Sequence, residues 1–169
     1  MSRAFVKEAD DNPADDLPER PLSPHPNYVT PAGLAQLQSR VEELVRRREQ
    51  LAADEDDPLA KQSLLGVKRD LRYFRARLES AIPVDPGKQP GDEVRFGAAV
   101  TVSDEHGKQQ QFNIVGEDEA DVAGGKISWS SPLGKAMIGS KVGDNVVWRR
   151  PAGDTGLEIL SISYPPGNK

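Results

Sequence analysis

Large apolar side chains recur at spacings of three and four from residue 34 onward: Leu34, Leu37, Val41 and Leu44, with Leu51 back in phase seven residues later. That spacing lays a narrow apolar stripe along an α-helix, the seam of a coiled coil. Thr30-Pro31 supplies the start: a hydroxyl to accept from free backbone N–H groups, then a proline whose missing N–H costs nothing at the first helical position. A second stripe, Ala60, Leu64, Val67, Leu71, Phe74, Leu78 and Ala81, keeps the same spacing and stops before Ile82-Pro83, where proline disfavours helix. Only Asp54-Glu55-Asp56-Asp57-Pro58 separates the stripes, so the pattern predicts an antiparallel helical hairpin over 28–83, with Leu44 facing Val67 and Leu37 facing Phe74. Each arm of about 23 residues projects roughly 35 Å. The hairpin is a finger with an acidic tip.

Beyond residue 91 the period shortens to two. Five β-branched alternations read as strands: Ala98–Val102, Gln110–Val115, Lys126–Ser130, Asn145–Arg149 and Gly156–Tyr164. His106-Gly107, Gly124-Gly125, Gly143-Asp144 and Pro151-Ala152-Gly153 punctuate them, which puts His106 in a loop. Ser131-Pro132 caps a short helix through Ile138, with Gly139 placed to close it. The fold class expected is α+β: an N-terminal antiparallel coiled-coil hairpin followed by a small antiparallel sheet with one short helix. The Pro/Gly-rich run 84–91 reads as a hinge between the finger and a globular domain over 92–165, and 166–169 as a tail.

Charge sharpens this division. The chain of 169 residues has 22 Lys+Arg against 27 Asp+Glu, a net charge of −5, which argues against independent DNA binding. Residues 1–27 combine six acids and three bases with five prolines and few large apolar side chains, the composition of a disordered acidic tail in which His25 is solvated. No cysteine is present, which excludes disulfides, Cys-ligated zinc and thiolate nucleophiles and suits a reducing cytoplasm. No run approaches the roughly 18 apolar residues of a membrane span, and the acidic N-terminus lacks an apolar signal core.

Three features carry candidate chemistry. At the tip, Asp57 before Pro58 reads as the N-cap of the second helix, whereas Asp54, Glu55 and Asp56 crowd the end of the first, where the helix dipole disfavours negative charge. They read either as hard oxygen ligands for Mg²⁺ or as a solubilising loop. Behind the tip, Arg46, Arg47, Lys61, Lys68, Arg69 and Arg72 read either as a solvated helix face or as contacts to phosphate or an RNA backbone, and Arg48 falls on the seam, where its stem covers the partner helix. Trp129 and Trp148 lie in strands and read as core or half-buried residues. The acidic loop Glu117–Asp121 is an exposed connection by pattern.

Tyr28-Val29-Thr30-Pro31-Ala32-Gly33-Leu34, Val94–Val102, Ile114–Asp121, Ile127–Gly139 and Lys141-Val142-Gly143-Asp144 together resemble the bacterial Gre-type (GreA/GreB) transcription elongation factors over residues 28–164. The resemblance implies an FKBP-like globular domain docked on the rim of the RNA polymerase secondary channel. It also implies a finger that brings acidic residues to the polymerase's Mg²⁺ beside backtracked RNA. On this reading the chain has no catalytic residue and no cofactor of its own. Mg²⁺ is shared with the polymerase through Asp54 and Asp57, nascent RNA is an indirect partner, and Glu119, Asp121, Ser131, Pro132 and Leu133 lie in the docking loops. The tip departs from the family's Asp-x-x-Glu-Asn-x-Glu-Tyr pattern, keeping only Asp54-x-x-Asp57, and each arm is about two turns, near 10 Å, shorter than usual. It resembles a divergent short-finger member. Cleavage stimulation and noncleaving inhibition therefore both stand as outcomes, alongside two readings from other classes: an FKBP-like prolyl isomerase and a coiled-coil adaptor.

Overall fold

The computed structural model describes residues 17–165. Residues 1–16 of the expected N-terminal tail and the whole expected tail 166–169 lie outside that range. The chain divides into two compact units: one holds Leu37–Ser80 with the segment ending at Pro24, the other His25–Gln36 with the chain from Ala81 onward.

In the first unit the two stripes produce the two expected helices, α1 (Pro31–Ala52, whose first turns belong to the second unit) and α2 (Pro58–Ser80). Leu37, Leu44, Ala60 and Leu71 are buried, and Val41, Leu51, Leu64, Val67, Phe74 and Leu78 are half-buried. Arg48 is half-buried at its seam position, whereas Arg77, one residue off the second stripe, is only 3% exposed. The turn closes through Ala53 N–H to Glu49 O (3.2 Å) and Asp57 N–H to Asp54 O (3.3 Å). Asp57 Oδ1 then accepts from Leu59 N–H at 3.0 Å, the N-cap that Asp57-Pro58 predicts.

The second unit is built on a five-stranded sheet of β3 (Ala99–Ser103), β4 (Gln109–Val115), β5 (Lys126–Ser128), β6 (Asn145–Trp148) and β7 (Thr155–Ser163), in the order β5-β4-β3-β7-β6. All five strands expected from alternation are present. The sheet is mixed, not antiparallel, because β5 runs parallel to β4, with Ile114 opposite Ile127. The chain reaches that orientation through the connection 116–125, which includes two 3₁₀ turns and brings the start of β5 beside Asn113, near the end of β4, without a hairpin. A separate parallel pair joins β1 (Tyr28–Val29) to β2 (Ile82–Pro83).

One side of the sheet buries Val100, Val102, Phe112, Ile114, Leu157 and Ile159 against α3 (Pro132–Met137), which contributes Leu133 and Met137. Ile159 and Ile162 both pack on this core although their separation of three would turn them to opposite faces of a regular strand. The register resolves the conflict: Thr101 pairs with Ser161 and Val102 with Ile159, so Leu160 is the extra residue of a bulge. α3 starts as expected, with Ser131 Oγ accepting from Gly134 N–H at 3.1 Å, and Gly139 follows it at φ +93°.

Two expectations need correction. The run 84–91 is part of the second unit, not a hinge: Val84 N–H donates to Val29 O (2.9 Å), Asp85 caps a 3₁₀ turn over Pro86–Lys88, Pro86 is buried, and Gln89 Nε2 donates to Phe96 O (3.0 Å). Proline and glycine here shape a packed turn. Residues 17–27 likewise have specific partners: Asn27 is 4% exposed, and the His25 ring meets Trp129 edge-on at 5.7 Å. Composition favoured disorder, but these residues pack on surfaces formed elsewhere in the chain. Among the described residues no helix is long and apolar enough to cross a membrane.

Replacing Asp57 with Ala removes the cap of α2 and should lower the free energy of unfolding by about 0.5–2 kcal/mol in urea melts followed by circular dichroism, whereas Asp57→Asn should retain the acceptor and most of the stability. Ile114→Ala, at a position with no solvent exposure, should cost about 2–5 kcal/mol in the same measurement.

Candidate functional site

Two sets of residues came forward from the sequence, one in each unit. At the finger tip all of Asp54, Glu55 and Asp56 are exposed, while the Asp57 carboxylate is engaged with the helix backbone. Among the described residues no three His, Asp or Glu side chains converge on a point where they could hold a metal ion. Asp54, Glu55 and Asp56 are thus hard oxygen donors open to solvent. Arg47 borders a shallow depression with Asp54, Asp57 and Leu59, a large apolar side chain left 72% exposed.

Farther from the tip a groove along the hairpin is lined by Arg40, Leu44, Arg46, Arg47, Val67 and Asp70. Arg46, Arg47, Lys61 and Lys68 are all exposed, but only Arg46 and Arg47 lie in this groove. Arg40 is tied to Glu43 at 3.0 Å, one helical turn on.

In the second unit the expected docking loops meet. Ser130 Oγ donates to Glu117 Oε2 at 3.0 Å, the Ser128 and Ser130 hydroxyls are 2.9 Å apart, and Ser131 Oγ donates to Ser128 O at 2.7 Å. Asp121 and Lys126 exchange backbone hydrogen bonds of 2.8 and 2.9 Å, which leaves Asp121 exposed beside Val122, itself 68% exposed. Pro132 is also exposed. These residues present an acid and apolar surface at the ends of ordered loops, a combination suited to protein contact.

The remaining docking candidates have structural duties. Leu133 is 3% exposed and belongs to the core, so its expected place on the contact surface is wrong: the helix it begins turns that side chain toward the sheet. Ser131 is the helix cap. Glu119 holds the start of α1: Thr30 Oγ1 donates to the Glu119 carboxylate, 2.7 and 2.8 Å from its two oxygens, while accepting from Gly33 N–H at 2.9 Å. A Cβ at Gly33 would push the Glu119 carboxylate out of this position.

An aromatic group escaped the sequence reading. Tyr28 stands edge-on to Trp129 at 5.2 Å and 5.9 Å from Phe96, with His25 on the other contact of Trp129. The Trp129 Nε1–H is buried and has no hydrogen-bond partner among the described residues. Tyr28-Val29 before the helix start was the available signal, but aromatics separated by some hundred residues give no periodicity.

A family model described as "Transcription elongation factor, GreA/GreB, C-term" matches residues 89–164, which span this sheet and its loops. The chain is 37% identical over 153 residues to transcription elongation factor GreB of Neisseria meningitidis serogroup B, covering 82% of this chain and 94% of that protein. The chain belongs to the GreA/GreB transcription elongation factor family. It is also 33% identical over 151 residues to GreA of Thermodesulfovibrio yellowstonii, covering 80% and 96% of the two chains. Among solved structures, GreA factor homolog 1 (Gfh1) of Thermus thermophilus aligns at 24% identity and a TM-score of 0.40, over 82% of this chain and 99% of that one. The similarity to GreB and GreA reaches well beyond the sheet, so family membership covers both units.

The division of labour within these loops is measurable. Glu119→Ala should destabilise the protein by about 1–3 kcal/mol, since Thr30 loses its acceptor, whereas Asp121→Ala and Pro132→Ala should stay within about 0.5 kcal/mol of the parent in thermal melts.

Proposed function

We propose that the chain binds RNA polymerase in its secondary channel and modulates transcript elongation through the acidic finger tip. Membership in a family of transcription elongation factors, with extensive coverage of its relatives, is the observation that carries this reading. The loop cluster around Asp121, Val122 and Pro132 supplies the docking surface. Asp54, Glu55 and Asp56 supply carboxylates to the polymerase's Mg²⁺, and Arg46 and Arg47 are placed to meet RNA phosphates, where cations position a backbone without reading its sequence. No chemistry is assigned to the chain itself.

Noncleaving modulation is favoured over stimulation of transcript cleavage. Of the spaced pair Asp54-x-x-Asp57, all that the tip keeps of the family's acidic pattern, Asp57 already engages one carboxylate oxygen in capping α2. The prolyl isomerase reading is weaker still. A cleft of about 260 Å³ lined by Thr30, Pro31, Pro86, Asn113, Glu119 and Lys126 among others carries no aromatic side chain, whereas an isomerase needs an apolar aromatic pocket to hold proline.

On stalled, backtracked elongation complexes the wild-type chain should change the rate of nucleotide addition without releasing short 3′ RNA fragments. Asp54→Asn with Glu55→Gln should abolish the rate effect while binding persists, and Asp121→Ala with Pro132→Ala should weaken binding with the circular dichroism spectrum unchanged. Robust fragment release by the wild-type protein would establish cleavage stimulation instead. Failure to bind polymerase would overturn the reading as a whole.

A further inference from the structure

Residues 17–24 have a defined seat within the finger unit. Glu19 presents its carboxylate to Arg72, whose Nη2 lies 2.5 Å and Nε 3.0 Å from Oε1, with Nε 2.9 Å from Oε2. The next residue, Arg20, places its guanidinium carbon 4.0 Å from the centre of the Tyr73 ring and 5.1 Å from that of Phe74, and its Nη1 lies 3.4 Å from Asp70 Oδ1. Asp70 is also held by Arg69 at 3.2 Å. Hydrogen bonding to Arg72 lowers the pKa of Glu19 below its ordinary value, in keeping with an ionised contact.

This flank of α2 carries a specific pattern. Arg72 takes an acid, and within a helical turn Asp70 and Tyr73 take a base, the carboxylate through charge and the ring through its π face. A phosphate backbone matches the first position but brings its next negative charge toward Asp70. A polypeptide with an acid directly followed by an arginine satisfies both, as Glu19-Arg20 does.

The ion pair in this seat is open to solvent. The side chains of Glu19 and Arg72 are 61% and 52% exposed, so water and salt compete for their ion pair. Pro18 and Pro21 flank Glu19-Arg20 and keep the segment extended before it binds, which limits the entropy lost on seating. Leu22, next along the chain, remains 55% exposed, so apolar burial does little to fasten this end of the segment.

We propose that the Arg69–Phe74 flank of α2 is a docking surface for a polypeptide segment in which an acid precedes an arginine, and that residues 17–22 occupy it in cis until such a segment displaces them. The inference goes beyond the polymerase reading and does not depend on it, since the exchange is a property of the free chain.

The absence of native cysteine makes the test clean. Spin labels on Leu22→Cys and Glu79→Cys in the full chain should give one narrow, short distance at about 0.01 M salt and a broad, longer distribution at about 1 M, where the screening length falls to roughly 3 Å. Glu19→Lys should broaden the distribution at low salt, and adding Arg72→Glu should restore it, with circular dichroism confirming a folded hairpin throughout. An excess of a peptide spanning residues 17–24 should broaden the wild-type distribution. The same peptide with the acid and the arginine exchanged should not, and neither should single-stranded RNA of equal length. A distribution already broad in the wild type at low salt, one that survives Glu19→Lys, failure of the natural peptide to broaden it, or displacement by RNA or the exchanged peptide equal to that by the natural peptide would each overturn the proposal.

Discussion

A helix with a single narrow apolar stripe can bury that stripe only against another like it, and this constraint shapes the finger. Leu37, Leu44, Ala60 and Leu71 are buried along the stripes and the stripe positions between them are half-buried, so the remaining surface of α1 and α2 is free to be charged. Acids can crowd the tip and arginines the flanks without entering the seam. The exceptions are Arg48, half-buried at a seam position, and Arg77, buried beside the second stripe, where long side chains take space that a strict seam would give to apolar residues.

The sheet unit solves its packing by local irregularity. Its core needs Ile159 and Ile162 on one face, and the bulge at Leu160 provides this; its first edge strand reaches a parallel position by way of two 3₁₀ turns. Loops that look like plain connections in sequence are consequently held by side-chain bonds, as Ser130 holds Glu117 and Thr30 holds Glu119.

What was legible in the sequence followed from periodicity and capping. The stripes gave both helices, alternation gave all five strands, and Asp57 and Ser131 acted as the caps their neighbouring prolines implied. Periodicity carries no information about which strands pair, so the parallel β4–β5 pair was missed. Composition is averaged over a segment and says nothing of one carboxylate meeting one guanidinium, so the seating of Glu19 and Arg20 was invisible. Among the docking candidates, family likeness could not separate the exposed Asp121 and Pro132 from the buried Leu133; that distinction depends on how a short helix faces the sheet.

The tip has a consequence for how such a protein can change over generations. Four acids stand in a row, yet only the last, Asp57, bonds to the helix through its side chain, while Asp54, Glu55 and Asp56 project into solvent. Substitutions at the first three positions alter what the finger offers to a partner without loosening the turn, whereas Asp57 is anchored by folding. A lineage can thus rewrite the message at the end of the finger three letters at a time, with the fourth kept as the binding of the book.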